Sequence, residues 1–348
     1  MGLKRKILVF SFAFSSIGGP LALVGQFSQG ISALEVILSI ILFMPVTYLT
    51  YYSMNKIWDR GGLYDYVNKF TPKISPYLLY FWIFSYFLYL SYTIDYIVYW
   101  ILNFNGIISY LLVLGLSSAI SIIVLFEREL EFLLASTIMQ ILFTIPIHWS
   151  LKLISPYEMT VNGVISTALL YVCITLTPFV GNGKDKEGIS SVMYAYLISG
   201  ALLLMDSFFS IPRLIYLVSS LSTFSLIIVE FMSLRNLLSK FNINKIYLII
   251  AFLASTLISL IDPKEYYIYT ISPSVASLYV ALSIFFTSIT ISAENLLIRI
   301  LGIISIGLMA YGFFTSLQFS SLTILIEQIA SILIIFGIST FKMKRKIA

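Results

Sequence analysis

The chain has 348 residues, 59% of them hydrophobic and only 11% charged, with a mean hydropathy of +0.97 and a formal net charge of +5. A soluble domain carries about 25% charged residues, so lipid has to be the solvent for this much apolar surface. One cysteine, Cys173, excludes an internal disulfide, and one histidine, His148, argues against a metal cluster; the basic residues form no aromatic-interleaved patch of the kind that binds nucleic acid.

The N-terminus reads MGLKRKILVF. Its apolar run, 7 to about 27, is longer than the 7–15 residues of a signal-peptide core and lacks a small-x-small cleavage site. Lys6 stands where a myristoylation signal wants Ser or Thr. The run therefore reads as a first membrane span. Apolar segments long enough to cross follow one another over 7–28, 31–54, 76–102, 106–126, 130–151, 163–180, 189–211, 213–235, 246–261, 271–291, 294–316 and 320–341. The sequence thus predicts an all-α polytopic membrane protein of about twelve helices. The runs are continuously apolar and do not alternate with period two, which argues against a β-barrel. With the N-terminus on the cytoplasmic side, this parse leaves only Lys152, Arg213 and Lys264 outside, out of 21 Lys and Arg. That asymmetry obeys the positive-inside rule and puts both termini in the cytoplasm of a cell-membrane protein.

Span 1 carries Ser15-Ser16-Ile17-Gly18-Gly19-Pro20 at its middle. Glycine and proline weaken a helix, and unwound backbone is tolerated in a bilayer only where protein or a cavity covers it. The stretch is either a packing kink or an unwound site. Span 6 ends on Thr175, Thr177, Pro178, Gly181 and Gly183. Spans 1 and 6 open successive groups of five helices, and an odd number of helices per group inverts the second group in the membrane. Paired interruptions of this kind point to a binding site between inverted repeats. Half-helix ends attract charge, anions at the N-terminal end and cations at the C-terminal end, so a zwitterion suits such a site.

SSIGGPLAL in span 1, RGGLYDYVNKFTPKISPYLLYFWIFSY leading into span 3, LTPFVGNG in span 6 and FMSLRNLLSKFNINKIY after span 8 together resemble the amino acid–polyamine–organocation superfamily of transporters. The resemblance covers most of 1–260 and fades beyond it. It implies a first five-helix repeat over 1–151, a second, inverted one over 163–291, and two accessory helices with a basic tail over 294–348. It also implies a secondary active transporter (permease) for amino acids or related amines. The substrate carboxylate would meet backbone amides around Ser16, Ile17, Gly18 and Gly19, and its amino group carbonyls near Phe14, Ser15, Thr177 and Phe179. Gly181 and the central tyrosine of span 3, Tyr89, complete the implied site. Two features depart from the family: the segment 181–188 after the span 6 break is short, and the only lysine of span 5, Lys152, sits at its outer end.

Further candidates are the intramembrane acids Asp95, Asp206 and Glu230, with Glu35 and Glu327 nearer the outer face. Glu230 reads as a partner for Arg235 or Arg128, and His148 as an interfacial residue. Tyr86, Tyr89, Tyr92 and Tyr96 share one face of span 3, as packing or as a cavity wall. The hydroxyls Ser219, Ser220, Ser222, Thr223 and Ser225 of span 8 read as helix-to-helix glue or as sodium ligands. The expected partners are a small-molecule substrate, a coupling proton or sodium ion, and the lipid bilayer. No cofactor is expected. An enzyme is disfavoured because neither HExxH nor GxSxG occurs. A non-transporting membrane sensor with the same pocket is the rival reading.

Overall fold

The computed structural model describes residues 2–18, 31–145, 150–151, 159–181, 186–210, 212–318 and 321–347. Among these residues there are thirteen α-helices, and each of the twelve apolar segments carries one. Helix α1 spans Gly2–Ser16. It stops where Gly18 takes φ +76° and turns its N–H back to the Ser15 carbonyl at 3.1 Å. Gly19 and Pro20 lie outside the described residues. Helix α2 (Ala33–Lys56) opens on a capping box, with Ser32 and Glu35 each accepting the other's backbone N–H. A short helix that the apolar pattern does not contain, α3 (Leu63–Phe70), buries Leu63, Tyr64, Tyr66 and Val67. Helix α4 (Ser75–Asp95) starts with Pro76 in its first turn and runs on as a π-helical turn over Tyr96–Ile101.

Helices α5 (Ile107–Leu125) and α6 (Glu129–Thr144) follow. The predicted segment 130–151 is too long: α6 ends at Thr144, with Ile145 extended. Ile145 precedes a proline, and the proline ring disfavours the helical conformation of the residue before it. Ser150–Leu151 instead forms a two-residue strand, β1, antiparallel to β2 (Phe209–Ser210). Between them, α7 (Val161–Leu169) continues as a 3₁₀-helix over Leu170–Val180, and α8 spans Ser191–Asp206. The remaining helices are α9 (Arg213–Ser239), α10 (Lys245–Ser259), α11 (Pro263–Ser292), α12 (Leu296–Gln318) and α13 (Leu322–Ile347). Helix α11 begins well before the predicted start at 271, because Asp262 caps it and Pro263 takes its first position.

Eight helical stretches among the described residues are long and apolar enough to cross a bilayer, while α8 and α10 are shorter apolar helices. Burial separates centre from rim. The α7 stretch (161–180) and residues 219–239 of α9 are 78% buried within the protein, against 33% for α12 and 17% for α13. Helix α1 packs on α8, α6 and the 3₁₀ segment, and α2 on α7 and α8. Helix α4 packs on α11, α9 and α10, and α9 packs on α6 and α5. Helices α12 and α13 lean on α11 from outside.

Candidate functional site

A cavity of about 220 Å³ opens where α1 ends and α7 changes pitch. Ile17 and Gly18 form one wall, and Leu169, Leu170, Val172 and Cys173 another. Helix α4 contributes Tyr89, Tyr92 and Tyr96, α9 contributes Thr223 and Leu226, and α11 contributes Tyr267 and Tyr279. The rings form a continuous aromatic surface: Tyr89 and Tyr92 are 5.0 Å apart, and Tyr267 stands edge-on to Tyr92 at 5.5 Å and parallel to Tyr96 at 6.0 Å.

The wall from α7 exists because the α-helix is abandoned at Leu170. A 3₁₀ run of 11 residues is long, since such runs rarely exceed three or four. Pro178 has no N–H to donate, and the hydroxyls of Thr175 and Thr177 donate to the carbonyls of Val172 and Ile174, at 2.7 and 2.8 Å. The sequence locates the interruption at Thr175 to Gly183; the change of pitch begins five residues earlier and faces the cavity.

Below the cavity the protein is sealed. The Phe179 ring stacks on Trp82 at 5.0 Å, and Trp82 touches Tyr86 at 4.6 Å. Asn236 donates to the Phe179 carbonyl at 2.9 Å. Gly62, at φ +55°, lies so close that a Cβ there would come within 2.5 Å of the Phe179 ring. Beneath this plug the basic ends of the helices are tied together. Arg5 lies over the Trp58 ring at 5.5 Å and donates to the Val180 carbonyl at 2.8 Å. Lys240 bridges Asp59 and Asp65 at 2.7 and 2.6 Å. Burial pushes the Asp59 carboxyl up, but the Lys240 contact and the Arg60 N–H and charge together outweigh it and hold the group below its ordinary value. For Asp65 burial prevails and the value is raised. Burial pushes Lys240 down, and its two carboxylate partners more than reverse this. A second pocket of about 480 Å³ lies here, among Arg5, Arg60, Glu127, Arg235, Lys245 and Gly181.

The sequence-derived site residues fall into two places. Ile17, Gly18 and Tyr89 line the cavity. Ser15 and Ser16 are buried beside it, with the Ser15 hydroxyl 3.4 Å from that of Thr137 and the Ser16 hydroxyl donating to the Ala13 carbonyl at 2.7 Å. Thr177, Phe179 and Gly181 lie farther along the 3₁₀ segment, Phe179 in the plug and Gly181 in the lower pocket. Gly19, His148, Lys152 and Gly183 lie outside the described residues. Cys173, Thr223, Tyr267 and Tyr279 complete the walls. Of these, Thr223 belongs to the span 8 hydroxyls already singled out in the sequence, and Tyr267 had a signal in the Asp-Pro helix start at 262–263.

The acids separate as well. Glu35 serves the α2 cap and accepts from the Thr160 N–H at 2.8 Å. Asp95 accepts from the Ser259 hydroxyl at 3.2 Å, tying α4 to α10, and Asp206 is buried at the end of α8. Glu327 lies half-buried on the outer helix α13. The expected pairing of Glu230 with Arg235 or Arg128 is wrong. Arg235 pairs with Glu129 of α6, and Arg128 with Glu131. Five residues turn a helix by about 140° beyond a full turn, so Arg235 faces away from Glu230. Two hydroxyls of the α9 cluster join α9 to α6: Ser222 donates to Gln140 at 3.0 Å, and Ser225 meets Ser136.

No family model and no curated protein matches the chain. Among solved structures, the Eremococcus coleocola manganese transporter, crystallised with an aromatic bis-isothiourea substituted compound, is similar in fold. The TM-score is 0.52 at 12% identity, and the likeness covers 99% of this chain and 96% of that one. The chain therefore shares the all-helical fold of that protein over almost its whole length.

Proposed function

We propose that the chain is a secondary transporter that carries an amino acid or a related amine, by rocking of its helices around the tyrosine-lined cavity. The observation that carries this reading is the cavity itself, bounded by two interrupted helices and sealed on one side only by a ring plug and ion pairs. Its size, about 220 Å³, falls below the roughly 300–1,000 Å³ of drug-sized pockets and suits a small metabolite. Helix α1 ends at the cavity, so its C-terminal carbonyls favour a positive group there. Tyrosine faces attract an ammonium in the same way.

The packing pattern supports a two-fold inverted core. Number the twelve predicted spans in order and exchange each span of the first five with its counterpart in the second. The contact of span 1 with span 7 becomes that of span 6 with span 2, and both occur. Span 3 with 10 becomes span 8 with 5, and span 3 with 9 becomes span 8 with 4; all four occur. The repeats over 1–151 and 163–291 are proposed on that basis, with 294–348 accessory. The closed, basic side is then cytoplasmic, and the state is closed inward.

The structural neighbour carries manganese, which takes carboxylate and other oxygen or imidazole ligands. The described side chains lining the cavity offer hydroxyls, rings and one thiol but no carboxylate or imidazole, and no group of three or more His, Cys, Asp or Glu is found among the described residues. This favours an organic substrate. Counterflow in proteoliposomes tests the reading: vesicles loaded with unlabelled L-amino acids should take up a labelled L-amino acid mixture faster than empty vesicles. No acceleration, or acceleration of radioactive Mn²⁺ alone, would contradict it. Saturable binding without counterflow would favour the sensor.

A further inference from the structure

The seal between the two cavities holds a carboxyl that the substrate reading leaves idle. Along α9 the upper cavity is lined by Thr223 and Leu226 and the lower pocket by Met232, Arg235 and Asn236. Glu230 lies between them, about 6 Å along the helix from Leu226 and about 7.5 Å from Arg235 at 1.5 Å per residue. Its side chain is fully buried, and neither carboxyl oxygen has a hydrogen-bond partner among the described residues.

The titratable groups within its electrostatic reach are Tyr86, Tyr89 and Tyr92 of α4 and Cys173 of the 3₁₀ segment. Tyr89, Tyr92 and Cys173 are cavity walls. Among the charged groups on the elements packed against α9, Asp95 of α4 accepts from Ser259, Glu131 of α6 pairs with Arg128 at the surface, and Lys4 and Lys6 of α1 are exposed. Glu129 of α6 holds Arg235, Lys245 of α10 holds Glu127, and Arg5 of α1 donates to the Val180 carbonyl. Helix α5 offers only the exposed Tyr110.

A carboxyl buried without a counter-charge must be neutralised, by a proton or by a cation. A metal cation needs several ligand groups converging on it, and no group of three or more His, Cys, Asp or Glu is found among the described residues. A proton needs none. We propose that Glu230 is the proton-carrying group of this transporter. It takes a proton from the cavity side and holds it while the plug is sealed. When the plug opens, it gives the proton to water in the lower pocket, whose lining carries Arg60, Arg235 and Lys245 besides Arg5, against the single acid Glu127. The inference rests on the transporter reading and adds the coupling ion and its site.

Two measurements test it separately from substrate transport. In infrared titration of the substrate-free protein in lipid nanodiscs, the wild type should keep a protonated-carboxyl C=O band at neutral pH. Glu230→Gln should lose that component, whereas Asp95→Asn should keep it. In proteoliposomes, an inward gradient of one pH unit should raise wild-type accumulation of the labelled L-amino acid mixture by up to about tenfold per proton. Glu230→Gln should keep counterflow and lose this stimulation, and Glu230→Asp should retain it in part. A Glu230→Gln protein with the full band, or with the full gradient response, would overturn the assignment. If the wild type shows no counterflow at all, the transporter reading fails, and the infrared result alone decides whether Glu230 holds the proton.

Discussion

Gly62→Ala is expected to loosen the plug beneath the cavity, and the structure gives the size of the effect. Gly62 has φ +55° and ψ −126°, a region that residues with a Cβ rarely enter. Forcing alanine there costs about 1–3 kcal/mol in backbone strain. The new Cβ would also stand 2.5 Å from the Phe179 ring. That ring has little room to retreat, since Trp82 stacks on it and Asn236 holds its carbonyl. Overpacking of this kind adds about 1–3 kcal/mol, for a total of about 2–6 kcal/mol. Gly106→Ala is the control: φ there is +70°, but nothing lies within 4 Å of the new Cβ, so only the strain applies. Thermal melting of the purified protein in detergent should rank wild type above Gly106→Ala, and Gly106→Ala above Gly62→Ala. The double variant Gly62→Ala/Phe179→Leu should lose less than the sum of its parts, because the clash is then absent. Equal melting of the two alanine variants, or full additivity in the double one, would refute the reasoning.

The same logic gives three further expectations. Arg235→Met leaves Glu129, whose side chain is 2% exposed, without its partner and should cost about 3–5 kcal/mol, most of it recovered when Glu129→Leu is added; chemical denaturation of the three proteins checks this. The Lys240 clamp should be intact at neutral pH and fail at both extremes. Asp59, held below its ordinary 3.8, contributes above that value and loses its contribution as pH falls through the lower folded value; Lys240, held above 10.5, contributes below that value and loses its contribution as pH rises through the higher folded one. For such part-exposed groups the effect is about 1 kcal/mol or less, read as a melting difference between wild type and Lys240→Met that vanishes at both ends of a pH series. Gly18→Val places a branched side chain at the cavity wall and at φ +76°, so it should abolish counterflow and also lower stability by about 1–3 kcal/mol, measured by uptake and melting on the same preparation.

The helices could be read from the sequence because lipid imposes a length: a span needs about 20 apolar residues, and all twelve such runs carry a helix. The tyrosine face of α4 was readable for a similar reason, since spacing alone fixes which side chains share a side. Local chemistry marked Gly18, where the left-handed turn needs glycine. The change of pitch at Leu170 has no such local mark; Pro178 and two threonine hydroxyls act on carbonyls upstream of them, so the effect appears one to two turns before its cause. The solitude of Glu230 was also hidden. Whether a carboxyl meets a cation depends on which helices become neighbours, and Glu129 takes Arg235 from another helix, 106 residues away in the chain. Helix α3 escaped because only one of its sides is apolar, which a search for membrane spans passes over.

The single cysteine offers the most direct test of where the substrate sits, because Cys173 lines the cavity and no other thiol exists in the chain. A small methanethiosulfonate reagent should inactivate counterflow in the wild type, an excess of L-amino acids should slow that inactivation, and Cys173→Ser should transport and be immune. Inactivation that substrate leaves unchanged, or that proceeds equally in Cys173→Ser, would contradict a substrate site between α1, the 3₁₀ segment and the tyrosines of α4.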